Sequence, residues 1–368
     1  MTLKFNKDLP HNALPVLPPS IDIQSKKILK RTINASREIA HLNAFLQYEK
    51  QSNYFTELNT LREALANSYI DGITIEKDIV LRALIADFMV KNQRTRDVLN
   101  LQAAIIKCFE ILKSRPFVSR DLLLTLSEEI SNKPGIRSGT IKLTNDLNKI
   151  IYTPPVGDKP ITELLSNLER FINLEKSIDP LIKIALIHYQ LLAIHPFSRG
   201  NGRISRLLIN LYLQMEGLLQ LPVLQMSEVL LKRKHQYFNC LNEVTIAEKW
   251  EEWVLFFLET VEIAARLTLN QLKDLLEMKK SFGEKLKKMF PKMYSEELLD
   301  ILFKQPYVKR QLLIDAGIGT PKTVGNYLII LEKAGIFTSR KVGKEKVYLN
   351  KNYLDLFKKD WLKDFDYS

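Results

Sequence analysis

Apolar residues recur at spacings of three and four along almost the whole chain, and glycine is scarce, 13 in 368 residues. That period puts apolar side chains on one face of a helix, so the chain is constrained to a mainly α fold. A helical pattern covers 24–52. A second begins near Phe55, with Leu58, Leu61, Leu65 and Tyr69 on one face, and stops at Asp71-Gly72, where glycine favours a helix end. Two more are expected over 78–114. Another follows Ser119, a capping residue type at a helix start. The period breaks between Ser131 and Pro160, a stretch rich in Gly, Pro, Asn and Ser, where "NKIIYTPP" reads as a strand or hairpin arm ended by proline. Helices resume over 161–174, 179–194 and 204–216, and an amphipathic region runs from Ser227 to about Lys280.

The last quarter changes character. Three short helices are expected at 295–303, 309–316 and 321–334, followed by two strands around Gly343-Lys344. Three helices and a hairpin is the order of a winged helix. Its recognition helix would start at Thr320-Pro321, a cap followed by a first-turn proline. From Lys285 onward there are 17 Lys and Arg against 10 Asp and Glu, part of a formal net charge of +12. That excess points to an anionic partner, with DNA the first candidate, or to a basic but merely soluble surface. Lys322, Thr323, Asn326 and Tyr327 are the candidate base-reading side chains.

Other classes are disfavoured. No run reaches the roughly 18 to 20 apolar residues of a membrane span. Residues 1–20 are proline-rich and expected to be extended, without the apolar segment of a secretion signal. Cys108 and Cys240 read as free thiols, the usual state in a reducing cytoplasm, which is the expected location.

The stretch "AIHPFSRGNGRISRLL", 193–208, carries the chemistry. Gly200 and Gly202 allow a turn whose amides form a concave array, and a helix starting there adds the positive end of its dipole. Arg203 and Arg206 lie one turn apart on that helix, and two guanidiniums over such a nest suit a polyphosphate. His195, just before the turn, is a candidate general base. Base, anion-binding turn and paired arginines together read as transfer chemistry on a nucleotide phosphate.

The string "HPFSRGNGR" followed by "ISR" resembles the signature of Fic-domain proteins, H-P-F-x-(D/E)-G-N-G-R-x-x-R. "LPVLPP", "PGIR", "IIYTPP", "LIHYQLLAIHPF" and "GLLQLPVLQMS" are similar to segments of bacterial Fic proteins with an N-terminal inhibitory helix and a C-terminal winged helix. The resemblance implies an N-terminal helical region over 1–115 with the inhibitory helix at about 55–72. A Fic-type helical bundle follows over 116–280, with a small β-hairpin flap near 148–155, and a winged-helix domain over 285–368. It implies protein adenylylation, the movement of AMP from ATP to a Ser, Thr or Tyr hydroxyl of a target protein or of the chain itself.

His195 would then take the hydroxyl proton. Ser198, Arg199, Gly200, Asn201, Gly202, Arg203 and Arg206 would form the ATP-phosphate site, with Asn201 and the glycine amides on the α-phosphate and Arg203 and Arg206 on the outer ones. Ile151 and Tyr152 in the flap would pin the target segment by strand pairing. Tyr237 matches a tyrosine of the adenine pocket, and core packing explains its spacing equally well. Family members are often homodimers.

Two positions depart from the family pattern. Arg199 stands where the Asp or Glu that binds Mg²⁺ is expected, and a guanidinium has no lone pair for a metal. Either Arg199 meets phosphate directly, or the donor or reaction is changed, or catalysis is lost and a nucleotide-sensing, DNA-binding regulator remains. No metal ligand is therefore assigned, although Mg²⁺ accompanies ATP in the family. The second departure is "ANSYIDGI", which resembles the inhibitory motif (S/T)-x-x-x-E-(G/N) with Asn67, Asp71 and Gly72. Asp71 is one methylene shorter than the family's glutamate. Its expected partner is Arg206 or Arg199.

Overall fold

The structure, a computed structural model, describes residues 5–48, 53–85, 92–131, 135–145, 147–342, 345–360 and 362–363. Residues 5–25 contain the extended proline-rich strap, which is fastened to the helical body by hydrogen bonds at its backbone. The Leu17 amide donates to Asn167 Oδ1 at 2.9 Å, and Gln190 Nε2 donates to the Pro15 carbonyl at 2.8 Å. The first helices are α1 (Lys26–Tyr48), α2 (Asn53–Ile70), α3 (Lys77–Ile85), α4 (Gln93–Ser114) and α5 (Arg120–Ile130). Two short antiparallel strands follow, β1 (Leu143–Thr144) and β2 (Ile150–Tyr152), with Leu143 opposite Tyr152. Next come α6 (Asp158–Leu174), α7 (Pro180–Ile194) and α8 (Asn201–Met215).

The central pair is α7 and α8. Asp179 caps α7 by accepting from the Leu181 amide at 2.8 Å, and Pro180 occupies its first turn. Its apolar residues run all round the helix, and nearly every side chain from Leu181 to Ile194 is buried. A helix apolar on all sides belongs in the middle of a bundle. Here α1, α6, α8 and the later helix α11 surround it.

The region expected to run from Ser227 to about Lys280 divides into α9 (Met226–Lys232), α10 (Lys234–Ala247) and α11 (Trp250–Met289). The breaks fall at Arg233 and at Glu248, whose φ of 52° no helix interior contains. Periodicity alone did not show them, because polar helix formers occupy both. Helix α11 continues through Gly283. A Cβ there would meet Leu299 Cδ2 at 2.9 Å, so glycine lets α12 (Glu296–Lys304) pack closely.

The C-terminal region continues with β3 (Tyr307–Lys309), α13 (Arg310–Asp315), α14 (Pro321–Lys333), β4 (Thr338–Val342), β5 (Glu345–Leu349) and α15 (Lys351–Lys358). Thr320 caps α14 as expected. The hairpin turn at 343–344 lies outside the described residues. The sheet order is β3-β5-β4, all antiparallel. Strand β3 and helix α15 are additions to the sequence reading. Three residues are too few to show a period of two, and α15 owes its place to burial of Tyr353, Leu354 and Phe357.

This region is anchored to the helix that precedes Asp71. Arg62 of α2 donates to the Phe357 carbonyl at 3.0 Å and to both oxygens of Glu228 at 3.1 Å. Lys304 lies 2.9 Å from Glu57. Cys108 is buried, Cys240 is half-buried, and both are free thiols. No described helix is long and apolar enough to cross a membrane.

Candidate active site

The site forms where α2 ends against the start of α8. Helix α2 stops in a Schellman turn. The Ile73 amide donates to the Ser68 carbonyl at 3.0 Å, the Gly72 amide donates to Tyr69 at 3.0 Å, and Gly72 takes the φ of 78° that the motif requires. This turn holds Asp71 over the N-terminus of α8. Arg206 Nη2 donates to Asp71 Oδ1 at 2.6 Å, and Arg203 Nε lies 3.6 Å from Asp71 Oδ2. Asn67 completes the contact, accepting from Arg206 Nε at 2.6 Å and donating to the Arg203 carbonyl at 3.1 Å. Asp71 therefore reaches Arg206 despite its shorter side chain, and makes no ion pair with Arg199. Gly202 makes room for it. A Cβ there would meet Arg206 Nη1 at 3.0 Å and Asp71 Oδ1 at 3.3 Å.

His195 ends α7. Its amide donates to Leu191 at 3.0 Å, and its backbone turns through the left-handed region at φ 50°. Its Nδ1 lies 3.3 Å from the Leu192 carbonyl. A carbonyl only accepts, so this contact assigns the proton to Nδ1 and leaves the lone pair on Nε2. Burial pushes the imidazole down to about 4, so at neutral pH it is an uncharged base. The turn that follows is closed by Asn201, which accepts from the Phe197 amide at 2.9 Å and donates to the Phe197 carbonyl at 2.7 Å. Asn201 thus shapes the loop with its side chain.

The first helical amide bond of α8 is from Ile204 to Gly200 at 2.9 Å, so the amides of 201–203 precede the helical ladder. Arg203 is buried, yet its Nε and Nη1 have no hydrogen-bond partner. Buried donors without partners are costly, and they mark this arginine as a residue that fits an incoming anion such as a triphosphate.

A cleft of 550 Å³ opens beside these groups, with Arg203 outside its lining. Asp71, His195, Gly200, Asn201, Gly202, Arg206 and Tyr237 line it, with Ile151 and Tyr152 from the flap. Ser198 and Arg199 do not line it and are exposed. Tyr237 is fully buried and also lines the cleft. Its hydroxyl lies 2.8 Å from His188 Nε2, and burial raises it to about 12. Tyr152 donates to the Ala193 carbonyl at 2.9 Å, tying the flap to the end of α7.

Two residues escaped the sequence reading. Arg137 reaches the histidine turn from the "PGIR" segment. Its Nε donates to the His195 carbonyl at 2.7 Å, its Nη1 to Gly139 at 2.8 Å, and its Nη2 to Pro155 at 2.6 Å and Ile194 at 3.2 Å. One guanidinium thereby joins the base of the flap to the histidine turn. Arg137→Ala is expected to leave these carbonyls without a donor and cost about 3 kcal/mol, read as a lowered denaturant midpoint. His188 lies fully buried beneath the site, between Ser205 Oγ at 2.9 Å and Tyr237. Burial pushes it down to about 3, so it is held neutral. Among the described residues, no group of three or more His, Cys, Asp and Glu is placed to hold a metal.

A helical bundle with a histidine before a glycine turn, two arginines after it and a hairpin whose residues line the cleft is the arrangement of a Fic-type fold. Family comparisons agree region by region. Residues 117–213 match the Fic/DOC family, 29–110 its N-terminal domain, and 278–353 the C-terminal domain described as "Protein adenylyltransferase SoFic-like". The chain belongs to the Fic/DOC family. It is 25% identical to protein adenylyltransferase fic-1 of Caenorhabditis briggsae over 213 residues, 54% of this chain and 40% of that one. It is 32% identical to protein adenylyltransferase Fic of Culex quinquefasciatus over 149 residues, 39% and 28% of the two chains. The chain thus spans less than half the length of these curated relatives.

Among solved structures, a Fic family protein from Desulfovibrio desulfuricans G20 superposes with a TM-score of 0.60 at 17% identity, covering 90% of this chain and 97% of that one. Fic-1 (residues 134–508) from C. elegans gives 0.51 at 21% identity, covering 68% and 73%. These likenesses concern the fold.

Proposed function

We propose that this chain transfers AMP from ATP to a Ser, Thr or Tyr hydroxyl of a protein, itself or another, and that Asp71 restrains it. The observation that carries the reading is one cleft holding an uncharged His195 and the N-terminus of α8, with the unpartnered Arg203 donors beside it. The target hydroxyl oxygen attacks the α-phosphorus and its proton passes to His195 Nε2. The new O–P bond forms as the bond to the bridging oxygen breaks, and diphosphate leaves. The backbone amides at the start of α8 receive the α-phosphate. Arg203 and Arg206 receive the outer phosphates, Arg206 only once Asp71 has left it. The names of the relatives support this reaction class. The proposed setting is a cytoplasmic homodimer.

Labelled ATP tests the chemistry. The Asp71→Ala chain is expected to retain label from the α-phosphorus and none from the γ-phosphorus. Retained γ-label would instead mean phosphoryl transfer. A second reading is a nucleotide-sensing regulator that binds DNA. It is favoured by Arg199 and by α14, which presents Lys322, Asn326 and Lys333 to solvent. ATP binding with no label retained on any protein would support it.

A further inference from the structure

The family's site is built around a magnesium ion, and the residues of this cleft do not fit one. Arg199 stands at the expected ligand position and offers no lone pair. The remaining lining supplies no replacement. Among the described residues of the cleft, Asp71 is the single carboxylate, and its oxygens face Arg206 at 2.6 Å and Arg203 at 3.6 Å. Magnesium demands hard oxygen ligands in near-octahedral geometry and takes one or two carboxylates beside the phosphates. If Asp71 leaves the arginines to admit a nucleotide, the described residues of the cleft retain no carboxylate.

The cations present point the other way. Arg199 is exposed, with no hydrogen bond or ion pair among the described residues. It directly precedes Gly200 of the lining, and it is near enough to Arg203 for the two charges to repel. Arg203 keeps two buried donors without partners, and Arg206 becomes available when Asp71 departs. Arg206 then lines the cleft at the start of α8, Arg203 lies beside it outside the lining, and Arg199, also outside the lining, directly precedes the Gly200 that borders it. A free triphosphate carries more negative charge than its magnesium complex, and guanidinium–phosphate pairs are strong, charge-assisted contacts.

We propose that this site takes its nucleotide as the metal-free triphosphate, with Arg199 supplying positive charge in place of magnesium. The inference rests on the nucleotide-transfer reading and specifies the form of its donor. Magnesium then acts as a competitor, because it withdraws free ATP from solution and lowers the charge the three arginines meet.

Calorimetric titration of the full chain with ATP tests this, using wild type, Asp71→Ala, and Asp71→Ala combined with Arg199→Glu or Arg199→Gln. Each protein is titrated once with a chelator and once with excess magnesium. For Asp71→Ala, magnesium is expected to weaken binding about tenfold, the scale of one charge-assisted contact. Arg199→Gln is expected to weaken metal-free binding by a similar factor. Arg199→Glu is expected to bind ATP only with magnesium. Position 199 is exposed, so these changes leave the packed core untouched. Binding by the Asp71→Ala chain that tightens tenfold or more with magnesium would overturn the inference while leaving the nucleotide reading intact. Absence of ATP binding to every form in both buffers would remove that reading, and this inference with it.

Discussion

Asp71→Ala is expected to bind ATP about ten- to a hundredfold more tightly than the wild-type chain. Arg206 is 1% exposed and donates to Asp71 at 2.6 Å, so its guanidinium cannot serve a phosphate while that contact stands. Removing the carboxylate returns a charge-assisted partner of about 1.5–3 kcal/mol to the incoming anion. Arg206 does not collapse meanwhile, because Asn67 still accepts from its Nε at 2.6 Å and, through the backbone carbonyl, from Nη2 at 3.2 Å. Without nucleotide the variant is expected to be less stable than wild type, since a buried arginine has lost its counter-charge. With nucleotide, thermal unfolding is expected to shift upward more than in wild type, by mass action on the folded state. Equal affinities for the two chains in a calorimetric titration would contradict the restraint assigned to Asp71.

His195→Ala is expected to lower transfer about 10²- to 10⁴-fold while leaving ATP binding in place. The imidazole contributes a lone pair, and no other cleft residue is placed just before the anion-binding turn. The pH profile carries the same information. His195 is held down to about 4 by burial, so the uncharged base is lost only as pH falls through that value. The rate is therefore expected to be flat across neutrality and to fall toward pH 4. The same sign governs stability. In the unfolded chain the histidine titrates near 6.5, so the unfolded state binds protons first and stability declines as pH drops from about 6.5 toward 4. A rate that instead falls through pH 6.5 would show the catalytic group titrating as an unperturbed histidine.

How much of this was legible in the sequence depends on how local each feature is. The glycine turn, its flanking histidine and its arginines lie within 195–206, so residue types and their spacing alone single them out. Asp71 was placed by its resemblance to a motif. Why an aspartate suffices was not legible, because the answer lies in Gly202, which approaches α2 only in the folded chain. Arg137 is 58 residues from His195, and nothing in "PGIR" shows which carbonyls its guanidinium will meet. Nothing in the apolar run of 179–194 shows that His188 meets Tyr237 and Ser205 in the folded chain. The division of the long region after Ser227 was hidden because Arg233 and Glu248 are acceptable helix residues. The sequence pattern gives helices and local turns. It does not give the long-range hydrogen bonds that fix what each polar side chain does.

The central claim is that His195 moves AMP from ATP onto a protein hydroxyl once Asp71 no longer holds Arg206. Intact-mass measurement after incubation with ATP, comparing Asp71→Ala with Asp71→Ala/His195→Ala in the presence of chelator or magnesium, tests it most directly. The predicted result is an adduct of one or more AMP groups on the first protein and none on the second. AMP adducts of equal extent on both proteins would contradict it.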